Sequence, residues 1–145
     1  MDNSINDMKS IKDKFIFLFH PHPDTEGLRM APLALLSIAS LIEKEYDIRI
    51  FHSYDQADYL EALEQIDKAV CVGITALTGY QITDGLKLAK LVKEKNSKIP
   101  VVWGGIHATI EPRQTAENPY VDIVVKGQGE ETFAELVRAL DQKNL

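Results

Sequence analysis

Cysteine is nearly absent from this chain: Cys71 is the only one in 145 residues. One thiol excludes a disulfide framework, a structural zinc site and an iron–sulfur cluster held by these residues alone. Its place in the middle of "AVCVGIT" reads as a small buried hydrophobe rather than a reactive group. Long apolar runs are missing too. Near the start the longest is Phe15 to Phe19, too short for the core of a secretory signal or for a membrane span, so a cytoplasmic location and no membrane partner are expected. Positive charge is scarce: 16 Lys and Arg face 22 Asp and Glu, a net charge of −6. Acids and lysines mixed on helix faces argue against sequence-independent binding to nucleic acid, which needs basic clusters. There is no internal repeat and no low-complexity tract.

What is present belongs to one ordinary globular domain, 45% hydrophobic and 26% charged, long enough to bury a proper core. Residues 1–13 are polar and weakly patterned and read as a flexible leader. The domain is expected over 14–142, with a linker beginning at 143–145. Within it, short apolar segments recur: "FIFLF" at 15–19, "IRIF" at 48–51, "AVCVGIT" at 69–75, "VVW" at 101–103 and "DIVV" at 122–125. They barely alternate with polar residues, the mark of strands buried on both faces of a parallel sheet.

Helical stripes lie between them. Leu35, Ile38, Ala39 and Ile42 form one, with Pro32 near its start, where a missing N–H costs little. Ile82, Leu86, Ala89 and Val92 form another, with Lys87, Lys90 and Lys93 expected to face water. Phe133, Leu136, Val137 and Leu140 form a third. A weaker pattern covers 56–67 through Leu60, Leu63 and Ile66. The stretch 104–120 has no clear helical period and reads as a long loop or a short broken helix. Strands alternating with helices give a doubly wound α/β domain.

In such a sheet ligands bind beyond the carboxyl ends of the strands. His20, His22, His52 and His107 fall at or just past those ends, as do Gly104–Gly105 and the Gly127/Gly129 pair. Adjacent glycines after a strand bring bare backbone close to a flat ligand, or make a tight turn. "GQGEET" leads into a helix N-terminus, where Glu130 and Glu131 complement the helix dipole. Familiar signatures are lacking. Only Gly27 follows the first strand, where a dinucleotide fold wants Gly-x-Gly-x-x-Gly, and no P-loop or Gly-x-Ser-x-Gly occurs. Thr75 stands where a phosphoacceptor receiver needs aspartate. "HPHPD" leaves open a metal held by His20, His22 and Asp24, with His52 nearby.

Three segments, "GITALTGY", "VVWGGIHAT" and "YVDIVVKGQGEETFAEL", carry a resemblance. They are similar to the cobalamin-binding domain that precedes the catalytic barrel in cobalamin-dependent radical S-adenosylmethionine enzymes, a group including the anaerobic magnesium-protoporphyrin monomethyl ester cyclases and several methyltransferases. The likeness covers nearly the whole chain after residue 14. "GGIHAT" resembles that family's Gly-Gly-Pro-His-Ala-Thr, with Ile106 for proline, and "GQGE" its Gly-Glu-Gly-Glu, with Gln128 for glutamate. Of the wider superfamily's motifs, Thr75-Ala76-Leu77 stands for Ser-x-Leu and Gly104-Gly105 matches Gly-Gly. Asp-x-His-x-x-Gly is not met, since His22-x-Asp24-x-x-Gly27 exchanges acid and imidazole.

The resemblance implies a cobalamin-binding module of flavodoxin-like (Rossmann-like) topology, strand order 2-1-3-4-5, without a protein histidine on cobalt, the displaced dimethylbenzimidazole tail lying beside the strands. Thr75 would bond that tail, Leu77 would pack on it, and Gly104, Gly105, Gly127 and Gly129 would line its groove. The loop 20–27, with Gly27, would lie beneath the corrin. His107 would meet a corrin amide or anchor its own loop. The radical S-adenosylmethionine domain, with its S-adenosylmethionine and [4Fe-4S] cluster, would lie elsewhere in a full-length methyltransferase or cyclase, because no Cys-x-x-x-Cys-x-x-Cys occurs here. No complete active site is expected in this chain. A free-standing corrinoid carrier and a cofactor-free signalling or interaction module are the alternatives.

Overall fold

The computed structural model describes residues 13–21 and 30–143. Most of the expected leader, the calls on His22, Asp24 and Gly27, and residues 144–145 of the expected linker lie outside the described residues. Five parallel strands form one sheet in the order β2-β1-β3-β4-β5. They are β1 (Phe15–His20), β2 (Asp47–His52), β3 (Ala69–Thr75), β4 (Val101–Gly104) and β5 (Ile123–Val124). The expected order and fold class are those found. Among the described residues, no helix is long and apolar enough to cross a membrane.

The helices are α1 (Leu33–Ser40), α2 (Gln56–Glu64), α3 (Tyr80–Lys95), α4 (Ile106–Ile110), α5 (Pro112–Ala116) and α6 (Glu130–Asp141), with a 3-10 turn at Ile66–Lys68. Parallel strands need crossovers, and these place helices on both faces. One face packs Phe17, Phe19, Val72, Ile74 and Trp103 against Leu63 of α2 and Leu88, Ala89 and Val92 of α3. The other packs Ile16, Leu18, Cys71 and Val102 against Leu35 and Ala39 of α1 and Phe133, Ala134 and Val137 of α6. Cys71 is fully buried, and burial pushes its thiol pKa up to about 12, so it stays protonated and inert.

One detail decides between two sequence expectations, and two others differ from them. The stretch after β4 is a broken helix: Pro112 begins α5, and a residue before proline is disfavoured in the helical region, so Glu111 breaks away at φ −121°, ψ 58°. On α3 the buried stripe is centred on Gln81, Gly85, Leu88, Ala89 and Val92, while Ile82 and Leu86 pack only partly. Lys93 does not face open water. It turns back over the helix end, donates to the carbonyls of Ser97 and Ile99, and pairs with Asp122 just before β5. Asp122 also accepts the Val101 N–H at 2.7 Å, so one carboxylate ties α3, β4 and β5 together.

The β1–β2 register runs from Phe15↔Asp47 to His20↔His52, which brings two imidazoles together at the sheet's carboxyl edge, ring centroids 5.0 Å apart. Among the described residues, His20 Nδ1 is buried without a hydrogen-bond partner. Burial, and secondarily the charge His52 can carry, hold the His20 pKa below its ordinary value of 6.5. Since the unfolded chain takes that proton near pH 6.5 and the folded chain resists it, stability is intact above pH 6.5 and declines as pH falls from there. The His20→Gln chain should lose less melting temperature than the parent between pH 7 and roughly 5, where most carboxylates stay ionised; equal losses would remove His20 from the account.

Candidate functional site

The sheet's carboxyl edge is hollowed on the α1/α6 face. Alternation along β3 aims Cys71, Gly73 and Thr75 at this face, and along β4 Val102 and Gly104. Toward the edge the side chains therefore shrink. A cleft of about 170 Å³ opens there, floored by Gly73, Thr75, Val102 and Gly104 and walled by Leu35 and Ile38 of α1 and Phe133 of α6. Gly105, Val125, Gly127, Gln128 and Gly129 complete its rim. The lining is apolar or bare backbone apart from Thr75, Gln128 and Glu130, and Glu130 is held at the mouth, where Ser37 Oγ donates to its Oε1 at 3.0 Å.

The two adjacent glycines do different work. Gly105 has φ +92°, and a Cβ there would lie 2.6 Å from Thr75 Oγ1 and 2.9 Å from Ala76 N. It is glycine because the β4 turn presses on the end of β3. Gly104 has ordinary backbone, and among the described residues its Cβ would meet only Val125 O, at 3.8 Å. A side chain there would point into free space, so that glycine keeps the cleft open. A Cβ at Gly127, where φ is +79°, would meet nothing within 4 Å among the described residues.

Backbone hydrogen bonds set the mouth. Ala76 N–H donates to Gly104 O at 3.2 Å, and His107 N–H donates to Ala76 O at 3.0 Å. The Thr109 hydroxyl donates to Gly105 O at 2.8 Å and accepts the Gly127 N–H at 3.0 Å. One hydroxyl thus couples the loop after β4 to the loop after β5. On the far side, Gln81 is 7% exposed, accepts the Leu77 N–H at 2.8 Å and donates to Pro21 O at 3.4 Å, joining the loops after β3 and β1.

Of the residues singled out in the sequence, Thr75, Gly104, Gly105, Gly127 and Gly129 converge on the cleft. Ala76 is buried beside it and takes part through its backbone. Leu77 is 49% exposed on the surface and outside the cleft lining. His107 is buried, with Nδ1 3.1 Å from Thr78 Oγ1, and lines a hollow beside Trp103 and α3 instead. Gly73, Thr109, Phe133 and the Ser37–Glu130 pair were not read from the sequence. Gly73 carried a signal: a glycine inside a strand often marks a close approach, and a Cβ there would lie 2.7 Å from Leu18 Cδ2 and 3.4 Å from Phe133 Cζ. No group of three or more metal-ligating side chains occurs among the described residues.

A cleft of this size and lining has room for a flat, uncharged ring; an apolar cavity of about 150 Å³ holds benzene. Comparison with known proteins agrees with that chemistry. The B12 binding domain family profile matches residues 24–137. An uncharacterized methyltransferase of Pyrococcus horikoshii is 38% identical over 121 residues, covering 80% of this chain and 26% of the relative. The cobalamin-dependent radical SAM methyltransferase TokK of Streptomyces tokunonensis is 38% identical over 120 residues, covering 77% of this chain and 18% of TokK. The chain therefore spans about a quarter or less of the length of these relatives. The radical S-adenosylmethionine methyltransferase TsrM of Kitasatospora setae, solved with cobalamin and a [4Fe-4S] cluster bound, shares the fold at TM-score 0.72 and 21% identity over 90% of this chain and 25% of TsrM. The chain belongs to the B12 binding domain family, and cobalamin is its cofactor.

Proposed function

We propose that the chain holds cobalamin with its nucleotide tail in the α1/α6 cleft and without a protein imidazole on cobalt. The observation that carries this reading is the opening at Gly104, where a side chain would enter the cleft and touch little else. Bound there, cobalamin would supply a cobalt centre for methyl or electron transfer, and this chain's residues would supply binding and orientation. The flat base would displace water from Leu35, Ile38, Val102, Val125 and Phe133, at roughly 25 cal/mol per Å² of apolar surface buried. The Thr75 hydroxyl would hydrogen-bond the base, for about 0.5–1.5 kcal/mol net. Gly127 and Gly129 keep side chains clear of the rim, and Thr109 holds both glycine loops in place.

The positions of the described imidazoles support the reading without a histidine ligand. No imidazole lines the cleft among the described residues. His107 is turned to Thr78, and His20 Nδ1 is buried at the β1–β2 edge. The parent protein in this proposal is a radical S-adenosylmethionine methyltransferase or cyclase, in which this chain is the N-terminal cofactor module of a cytoplasmic enzyme. The names of its relatives and the small share of their length that it spans support that assignment.

Gly105 makes a poor blocking position, because a side chain there is strained by positive φ and collides with Thr75. Gly104→Leu is the informative variant. It should melt within a few degrees of the parent chain yet emerge colourless when mixed with hydroxocobalamin and passed through gel filtration, while the parent emerges red. A red Gly104→Leu protein would overturn the placement of the tail. After reduction of the bound cofactor to cob(II)alamin, electron paramagnetic resonance should show cobalt lines without nitrogen splitting; a threefold splitting would place a nitrogen ligand on the metal.

A further inference from the structure

Helix α1 has two apolar sides. Leu35 and Ala39, with Ile42 just past its end, face the core. Leu33, Leu36, Ser37, Ser40 and Leu41 lie opposite them, at the i, i+3, i+4, i+7, i+8 spacing of a helical stripe. Leu33 is 72% exposed, and Met30, Leu36 and Leu41 are each close to half exposed. From residue 30 to residue 42 there is no charged side chain. The two hydroxyls on this side are engaged within the module: Ser40 Oγ donates to Ser37 O at 2.7 Å, and Ser37 Oγ to Glu130 Oε1 at 3.0 Å. The other long helices differ. α3 exposes Lys87, Lys90, Glu94 and Lys95, and α6 exposes Glu131 and Glu135, as helices facing water do. A helix that is apolar all round belongs to a buried setting.

Four such side chains make a patch on the order of 400 Å², the size of apolar patches that mark interaction sites. Its size argues for an occupant on the same chain. A freely formed complex buries roughly 800 Å² on each partner, about twice what this patch provides. A covalently joined domain meets it at an effective concentration on the order of a millimolar and needs less area. The net charge of −6 weighs further against a second copy of this chain. The relatives have such a joined partner to supply. The matched region makes up only 26% of the Pyrococcus horikoshii methyltransferase and 18% of TokK, so most of each polypeptide lies outside the module.

We propose that the outer side of α1 is the docking face for the remainder of the parent polypeptide, which meets it with an apolar surface, since a charge buried there would find no partner on the stripe. The inference rests on the reading above that the parent is longer than this chain. It also bears on the cofactor. α1 lines the cleft through Ala34, Leu35 and Ile38, so a domain seated on Leu33 and Leu36 holds one wall of that cleft from behind.

Hydroxyl-radical footprinting tests this on the chain alone, on the chain loaded with hydroxocobalamin, and on the full-length parent polypeptide. Trypsin cuts after Arg29 and Lys44, so Met30, Leu33, Leu36 and Leu41 are read on one peptide. Their oxidation should fall at least about fivefold in the full-length protein, as for side chains in the dry core of an interface. Leu60, exposed on α2 across the sheet, should oxidise alike in all three. Leu36→Lys should leave the melting temperature and cobalamin uptake of the chain alone unchanged, and should restore oxidation of Leu33 and Leu41 in the full-length protein. Sedimentation should find the chain alone monomeric up to about 100 μM, since so small a patch does not hold a free partner. The docking face is refuted if α1 oxidises in the full-length protein as it does alone, or if hydroxocobalamin by itself gives the protection. Dimers of the chain alone that Leu36→Lys separates would also refute it. A gene product no longer than this chain would sink the parent reading and the docking face together; a longer one bearing a [4Fe-4S] cluster, with α1 still open, would sink the docking face only.

Discussion

The close approach of the β4 turn to the end of β3 is the constraint on which the rest depends. At Gly105 the backbone runs at φ +92° with no room for a Cβ beside Thr75 and Ala76. That contact lets Ala76 exchange hydrogen bonds with Gly104 and His107, which fixes where α4 begins. From α4, Thr109 reaches both Gly105 and Gly127, so the loop after β5 inherits its position from the same contact. The cleft is what remains beneath: Gly73 admits Leu18 and Phe133 to the sheet, Gly104 contributes nothing above it, and α1 and α6, which share one buried core, carry the Ser37–Glu130 bond at the mouth.

This arrangement separates rigidity from accommodation. The floor consists of hydrogen-bonded strands with fully buried neighbours, among them Leu18, Val72 and Ile74. The exposed Ser37–Glu130 hydrogen bond is a small part of the wall's stability, of the kind that solvent readily replaces. A ligand entering between the helices would meet fixed backbone below and adjustable side chains above. Apolar lining with one hydroxyl favours a neutral heteroaromatic ring over a charged group, and the acidic net charge of −6 disfavours a free anion on electrostatic grounds as well.

Much of the fold was legible because burial on both faces writes continuous apolar runs. The segment 69–75 was read to the residue, the doubly wound architecture followed from the need for crossovers, and the strand order came with the family resemblance. β5 is shorter than its apolar run, since only Ile123 and Val124 pair as strand. The glycines that shape the mouth were legible as a group, but not their division of labour: Gly104 and Gly105 are adjacent and identical in sequence, and only three-dimensional packing assigns one to contact and the other to vacancy. Lys93 and Gln81 were hidden for a related reason. Long polar side chains on a helix read as solvated, and nothing local reveals that a carboxylate or a loop carbonyl waits across a turn. His107 looked like a cleft residue from its place after β4, yet helical geometry rotates it to the other face.

The central claim is that the hollow beneath Gly104 grips the nucleotide end of the cofactor rather than the corrin ring. The most direct measurement is a side-by-side dissociation constant for cobalamin and for cobinamide, which keeps the corrin and lacks the base. The account predicts that cobalamin binds at least about a hundredfold more tightly, the contribution of a buried ring and one hydrogen bond. Equal affinities would contradict it and assign binding to the corrin alone.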